Sequence, residues 1–161
     1  MFEGVVLGGV ISLVSSVVVL RIQQRATRYG AGRALALEIW GNFNKLEGVA
    51  DLTDKTQLLP PELLTISRGA FDSQISLVAP LLRLAALQTV TMPYIEAPGT
   101  LSLYQGWSDP DNASENIRGS AELFLKAWDV LSPRVFSGKE RAELKDSAEG
   151  RSMESFRKGR R

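Results

Sequence analysis

Residues 4–20 read GVVLGGVISLVSSVVVL, seventeen consecutive uncharged positions with seven valines, three leucines and Ile11, closed by Arg21. An α-helix rises about 1.5 Å per residue, so Met1 to Leu20 reaches roughly 30 Å, about the thickness of a bilayer's hydrocarbon core. Val is a mediocre helix former in water, but lipid offers no partner to free backbone N–H and C=O groups. A lone spanning segment must therefore be helical. The run has no polar face of the kind a surface helix of a water-soluble domain shows. A cleaved signal peptide is disfavoured, because Glu3 precedes the run, where a basic region belongs, and Arg21-Ile22-Gln23-Gln24-Arg25 follows it, where small residues belong. The expectation is a single transmembrane anchor over residues 1–21.

The flanks set its orientation. Arg21, Arg25, Arg28 and Arg33 follow the run, and only Glu3 and the terminal amine precede it. The positive-inside bias therefore puts the N-terminus outside and the C-terminal domain in the cytoplasm. Residues 22–34 read as a basic juxtamembrane helix continuing from the anchor, so that Arg21, Arg25 and Arg28 share one face and contact lipid headgroups, each contributing about 1 kcal/mol near an anionic surface. Gly4, Gly8, Ser12 and Ser16 recur every four residues, a stripe that allows two membrane helices to pack into a homo-oligomer.

Beyond a hinge expected at Gly30-Ala31-Gly32, residues 35–133 carry the patterns of a helical bundle. Leu35, Ile39, Phe43, Leu46 and Val49 keep a helical spacing, with Trp40 widening the stripe and Glu38, Asn42 and Lys45 off it. A second helix is expected to open at Pro61. Phe71, Ile75, Val78 and Leu82, flanked by Leu77, Leu81 and Leu84, predict a segment apolar nearly all round and hence the centre of the core. Pro80, Pro93 and Pro98-Gly99 are expected to break or bend it. The stretch Leu77–Ile95 holds a single formal charge, but Arg83 and two prolines argue against a second span. Asn112 and Glu115 suggest a capping box for a helix bearing Ile117, Ala121, Phe124, Trp128 and Leu131 and closed by Pro133. No run alternates as a strand does, so the fold class is all-α: one transmembrane helix, a small antiparallel bundle and a charged, flexible tail over 134–161. A short helix over Lys139–Ala148 fits the propensities within that tail.

Charge is divided by segment: +3 over 1–34, −6 over 35–133 and +4 over 134–161. The chain has neither Cys nor His, which removes thiolate chemistry, disulfides, the commonest general base and the usual zinc and haem ligands. No phosphate loop, dinucleotide fingerprint or nucleophile elbow is present. Glu38, Asp51, Asp54, Asp72 and Glu96 are scattered acids of the kind that form a solvated face. Trp40, Trp107 and Trp128 read as core. No cofactor or metal is expected, and no enzymatic activity. The four terminal cations with one aromatic, Phe156, are a weak nucleic-acid signal, and nucleic acid is not an expected partner.

The layout resembles that of short bacterial membrane-anchored proteins, which implies the inner membrane. The expected function is an adaptor, regulator or assembly subunit held to the lipid bilayer, with an unidentified protein partner on the acidic bundle surface. The rival reading is a small lysis or pore-forming component oligomerising through its membrane helix.

Overall fold

The computed structural model describes residues 2–56, 61–104 and 112–147, with side chains from Ser16 onward except those of 56, 61 and 145. Those residues form five α-helices and no strand: α1 (Phe2–Thr56), α2 (Gly69–Val78), α3 (Leu84–Tyr104), α4 (Ala113–Val135) and α5 (Gly138–Asp146). Short 3-10 turns occupy Pro61–Leu63 and Ala79–Leu81. Among the described residues no helix is long and apolar enough to cross a membrane. Of the valine-rich run, only Ser16–Leu20 has described side chains.

α1 is one helix of 55 residues. From Ser16 to Thr27 every residue is exposed, and the bundle begins at Ala31. Leu35, Ile39, Phe43, Leu46 and Val49 are all buried, as their spacing predicts. α4 lies antiparallel against this face: Val135 sits beside Gly32, and Arg118 reaches Asp51 and Asp54 at 2.7 Å each near the far end of α1. Ile117, Ala121, Phe124, Trp128 and Leu131 are buried from the α4 side. The rings of Trp40 and Trp128 meet edge to face at 4.5 Å, and Tyr94 of α3 meets Phe124 likewise at 5.3 Å. α3 runs antiparallel to α4, with Asn116 bonded to the Tyr104 hydroxyl at one end and Arg134 donating to the Leu81 carbonyl at the other.

Several expectations are corrected. The glycines at 30–32 are not a hinge, because α1 passes through them unbroken. Gly32 is instead a close-approach point, where an added Cβ would lie 2.5 Å from Val135 Cγ1. Pro61 opens only a 3-10 turn, and the second α-helix starts at Gly69. The core centres on α1 and α4, not on residues 71–84: of those, only Val78 is buried, while Leu77 and Leu84 face outward. Leu77–Ile95, not expected to be a second span, is shared among α2, a 3-10 turn and α3.

Pro93 and Pro98 end nothing; both lie inside α3. A proline at 98 withdraws the N–H that would serve the carbonyl of residue 94. Arg68 supplies the replacement, its Nη1 donating to the Tyr94 carbonyl at 2.6 Å. Pro133 likewise lies inside α4, which continues to Val135.

The capping box is not at Asn112, which adopts a left-handed backbone (φ 80°) and makes no side-chain cap. It is at Ser137 and Glu140, opening α5. The segment expected to be a flexible tail is thus structured as far as Ser147, with Val135 buried and Arg33 paired to Glu140 at 2.6 Å; residues 148–161 lie outside the described set. Bonds from the Ser137 backbone and side chain, then the nearby Arg33 charge, hold the Glu140 carboxyl below its ordinary range. A lowered folded-state value means that this contribution is present above the ordinary glutamate pKa of about 4.3 and lost as pH falls below it. Ser137→Ala is expected to cost α5 about 1 kcal/mol. The check is amide exchange, accelerated over 138–146 and unchanged in α4.

Candidate interaction surfaces

Three places in the fold concentrate unusual chemistry. The first is the polar edge of α1. Glu38, Asn42 and Lys45 follow one another at helical spacing and fasten the irregular segment that leads into α2. Lys45 Nζ donates to Thr65 Oγ1 at 2.8 Å. The Asn42 amide clasps Ser67 from both sides, donating to its carbonyl at 2.8 Å and accepting from its N–H at 2.7 Å. The Glu38 carboxylate accepts from Ala70 N at 2.7 Å, Phe71 N at 3.0 Å, Ser67 Oγ at 3.0 Å and the Tyr94 hydroxyl at 3.0 Å. It therefore caps the first turn of α2 from another helix, satisfying two N–H groups that α2 cannot.

Burial, and then the neighbouring Glu38 charge, push the Tyr94 hydroxyl well above its ordinary value. A carboxylate occupied by four donors beside a phenol held neutral is arranged to bind its own chain. It leaves no acceptor direction for a substrate proton. Of the remaining acids, Asp51 and Asp54 share Arg118, and Asp72 pairs with Arg68 at 3.2 Å. Bonds from Ser114 and then Arg118 lower the Asp54 pKa. Of the candidate carboxylates Asp51 and Asp54 are brought together, around Arg118, and the others stand apart; among the described residues no three acidic side chains converge as a metal site would require. The acidic surface expected to meet a partner is thus largely committed to internal pairs.

The second place is the outer face of α3. Leu84, Met92, Ile95 and Leu103 follow one side of the helix, with Leu84, Ile95 and Leu103 exposed by 73, 68 and 65 %. Val90, Tyr94, Ala97 and Leu101 are buried on the other side. This two-sided apolarity is why the sequence looks like a core. Beside the stripe, the small side chains of Ala85 and Thr89 leave a groove against α4 of about 640 Å³, walled by Leu123 and Lys126. It continues toward the α4 C-terminus as a second hollow of about 610 Å³, reaching Asp129, Val130 and Pro133. Two antiparallel helices with small residues at their seam leave a trough of the kind a third helix fills.

The third place is the exposed stretch of α1. Val17, Val18, Val19 and Leu20 are each about half exposed, and Ile22 is 62 % exposed. Arg21 and Arg25 are exposed beside them and Arg28 is half-buried. Of the small-residue stripe, Ser16 is exposed; the surroundings of Gly4, Gly8 and Ser12 lie outside the described residues, as do those of Trp107. Sequence reasoning missed Glu38 and the α3 groove. A usable signal for Glu38 was the exact helical register of Glu38, Asn42 and Lys45, a polar stripe with the same period as the apolar one. Compared with known protein families, curated proteins and solved structures, the chain matches none.

Proposed function

We propose that this chain is a single-pass membrane-anchored binding protein. In this reading the run Gly4–Leu20 spans the bilayer with its N-terminus outside, and the bundle presents the α3–α4 groove to a helix of a partner protein in the cytoplasm. The observation that carries the reading is the exposure of Val17–Leu20 on a helix that continues straight into the bundle core. Four consecutive apolar side chains cannot all be covered by one neighbouring helix, whereas lipid covers a helix from every side. Arg21 and Arg25, at the end of that stretch, suit the headgroup layer on the inner face.

The binding role rests on the groove. Burying an exposed Ile or Met contributes about 1.5 to 3 kcal/mol, so Met92 and Ile95, with Leu123 of α4, offer enough apolar area to hold a helix with its own residues at i, i+3 or i+4 and i+7. The full-length chain with a photo-reactive residue at Ile95, expressed in native membranes and resistant to alkaline extraction, is expected to give one discrete adduct. Met92→Glu should abolish that adduct while shifting bundle stability by less than about 0.5 kcal/mol, because the position is on the surface. Release of the unmodified chain by alkaline carbonate would overturn the anchor. An adduct unchanged by Met92→Glu would overturn the groove, and adducts only between copies of the chain would favour the lysis or pore-forming alternative.

A further inference from the structure

The two ends of the bundle differ in charge, and the difference is aligned with α1. At the far end Asp51, Asp54, Glu62 and Glu115 outnumber Lys55 and Arg118, the latter paired with both aspartates. At the end nearer the N-terminal run, the α2–α3 turn and the α4–α5 turn come together around Gly32: Leu81 and Val135 both approach that residue, and Arg134 ties one turn to the other. This end carries Arg83, Arg134 and Lys139. Arg83 and Arg134 are exposed and make no ion pair with any described residue, and Lys139 reaches Glu143 only at 3.9 Å with its side chain 88 % exposed. Of the acids at this rim, Glu140 is taken up by Arg33, Glu143 lies beside Lys139, and Asp129 lines the hollow shared with Arg134. Between the cations stand exposed apolar groups, Leu84 at the start of α3, Pro80 before it and Pro133 on α4.

We propose that this end of the bundle is itself a membrane-contact surface, seated on anionic lipid headgroups with Arg83, Arg134 and Lys139 facing phosphate and Leu84 dipping toward the acyl boundary. The inference rests on the anchor reading above and extends it to residues far from the anchor in sequence. Distance along α1 supports it. Leu20 to Gly32 rises about 18 Å, of which the headgroup layer takes up roughly 6 Å. The remaining gap of about 12 Å is little more than a Debye length of about 10 Å at 0.1 M salt, and an extended arginine side chain closes the rest. Charge complementarity selects the occupant: guanidinium groups without an ion pair and a largely exposed ammonium, interleaved with leucine and proline, suit an anionic interface, and the more acidic far end is repelled from it.

The chain contains no cysteine, so a single introduced thiol is a unique label. Gly138→Cys, in open space at the near end, and Glu115→Cys, at the far end, place a spin label on the full-length protein in nanodiscs. Lipid-chelated nickel reports proximity to the bilayer. In discs containing phosphatidylglycerol, relaxation is expected to be at least about threefold stronger at 138 than at 115, since the ends are about 30 Å apart along α1. That difference should shrink in 1 M salt, where the Debye length falls to about 3 Å. Arg83→Gln with Lys139→Gln, neither of which anchors backbone, should lower the ratio of docked to undocked bundle by roughly thirtyfold. Equal relaxation at the two labels in a chain that still resists alkaline extraction overturns this proposal and leaves the anchor standing. Loss of the chain from the discs overturns both. Near-end relaxation that persists in uncharged phosphatidylcholine and in 1 M salt also overturns it, because a rigid α1 alone then accounts for the proximity.

Discussion

Glu38→Ala is expected to lower the unfolding free energy of the bundle by about 3 to 4 kcal/mol, the largest loss of any single polar substitution in it. The substitution removes a charged acceptor from four donors at once, two of them backbone N–H groups in the first turn of α2 and one the hydroxyl of buried Tyr94. Hydrogen bonds to charged groups contribute about 1.5 to 3 kcal/mol each, but water reaches the exposed Ser67 and part of the cap, so the full sum is not expected. Small domains hold only about 5 to 15 kcal/mol in total, so the shift in denaturation midpoint should be unmistakable. Glu38→Gln keeps one acceptor oxygen and should lose about half as much. A shift below 1 kcal/mol for the alanine variant would show that α2 finds other caps.

The same cluster has a pH signature. Tyr94 is held neutral first by burial and then by Glu38, so the folded state keeps its proton at a pH where the unfolded chain loses it. Stability from this source is complete below the ordinary tyrosine pKa of about 10 and declines above it, by about 1.4 kcal/mol per pH unit. Tyr94→Phe should flatten that alkaline slope while leaving the acid side unchanged.

Gly32→Val is expected to cost about 2 to 3 kcal/mol by overpacking. Val135 Cγ1 already occupies the space, and a β-branched side chain in a helix has little rotamer freedom with which to yield. Gly32→Ala sets two effects against each other: helix propensity gains about 1 kcal/mol, and the clash costs about 1 to 3 kcal/mol. The net is expected to be a small loss that Val135→Ala reverses in the double variant, a coupling a mutant cycle reads directly. Gly30 is the control. An added Cβ there meets nothing within 4 Å, so Gly30→Ala should stabilise α1 by about 1 kcal/mol. Destabilisation at Gly30 would restore the hinge that the unbroken helix replaces.

The apolar half of the fold was legible because burial and helical period coincide. Leu35 to Val49 on α1 and Ile117 to Leu131 on α4 are buried where the spacing puts them. Residues 71–84 misled because their leucines serve two surfaces, Val78 inward and Leu77 and Leu84 outward, and periodicity does not distinguish a covered face from an open one. The prolines of α3 misled for a different reason. The cost of Pro98 is borne by Arg68, thirty residues earlier, and a long-range hydrogen bond leaves no local pattern. Glu38 resembles any solvated acid until α2 folds back on it. The α3–α4 groove exists only once two helices distant in sequence lie side by side.

The unbroken course of α1 has a mechanical consequence. With no proline between Phe2 and Thr56 and Gly32 locked against Val135, the helix cannot absorb a reorientation by bending at its middle. A tilt of about 10° pivoting at Leu20 would therefore swing Thr56 sideways by roughly 9 Å, given the 1.5 Å rise per residue. α2 and α4 are bolted along that shaft and would travel with it. The molecule is built as a lever, in which a small leaning of the N-terminal stem becomes a large displacement at the opposite tip.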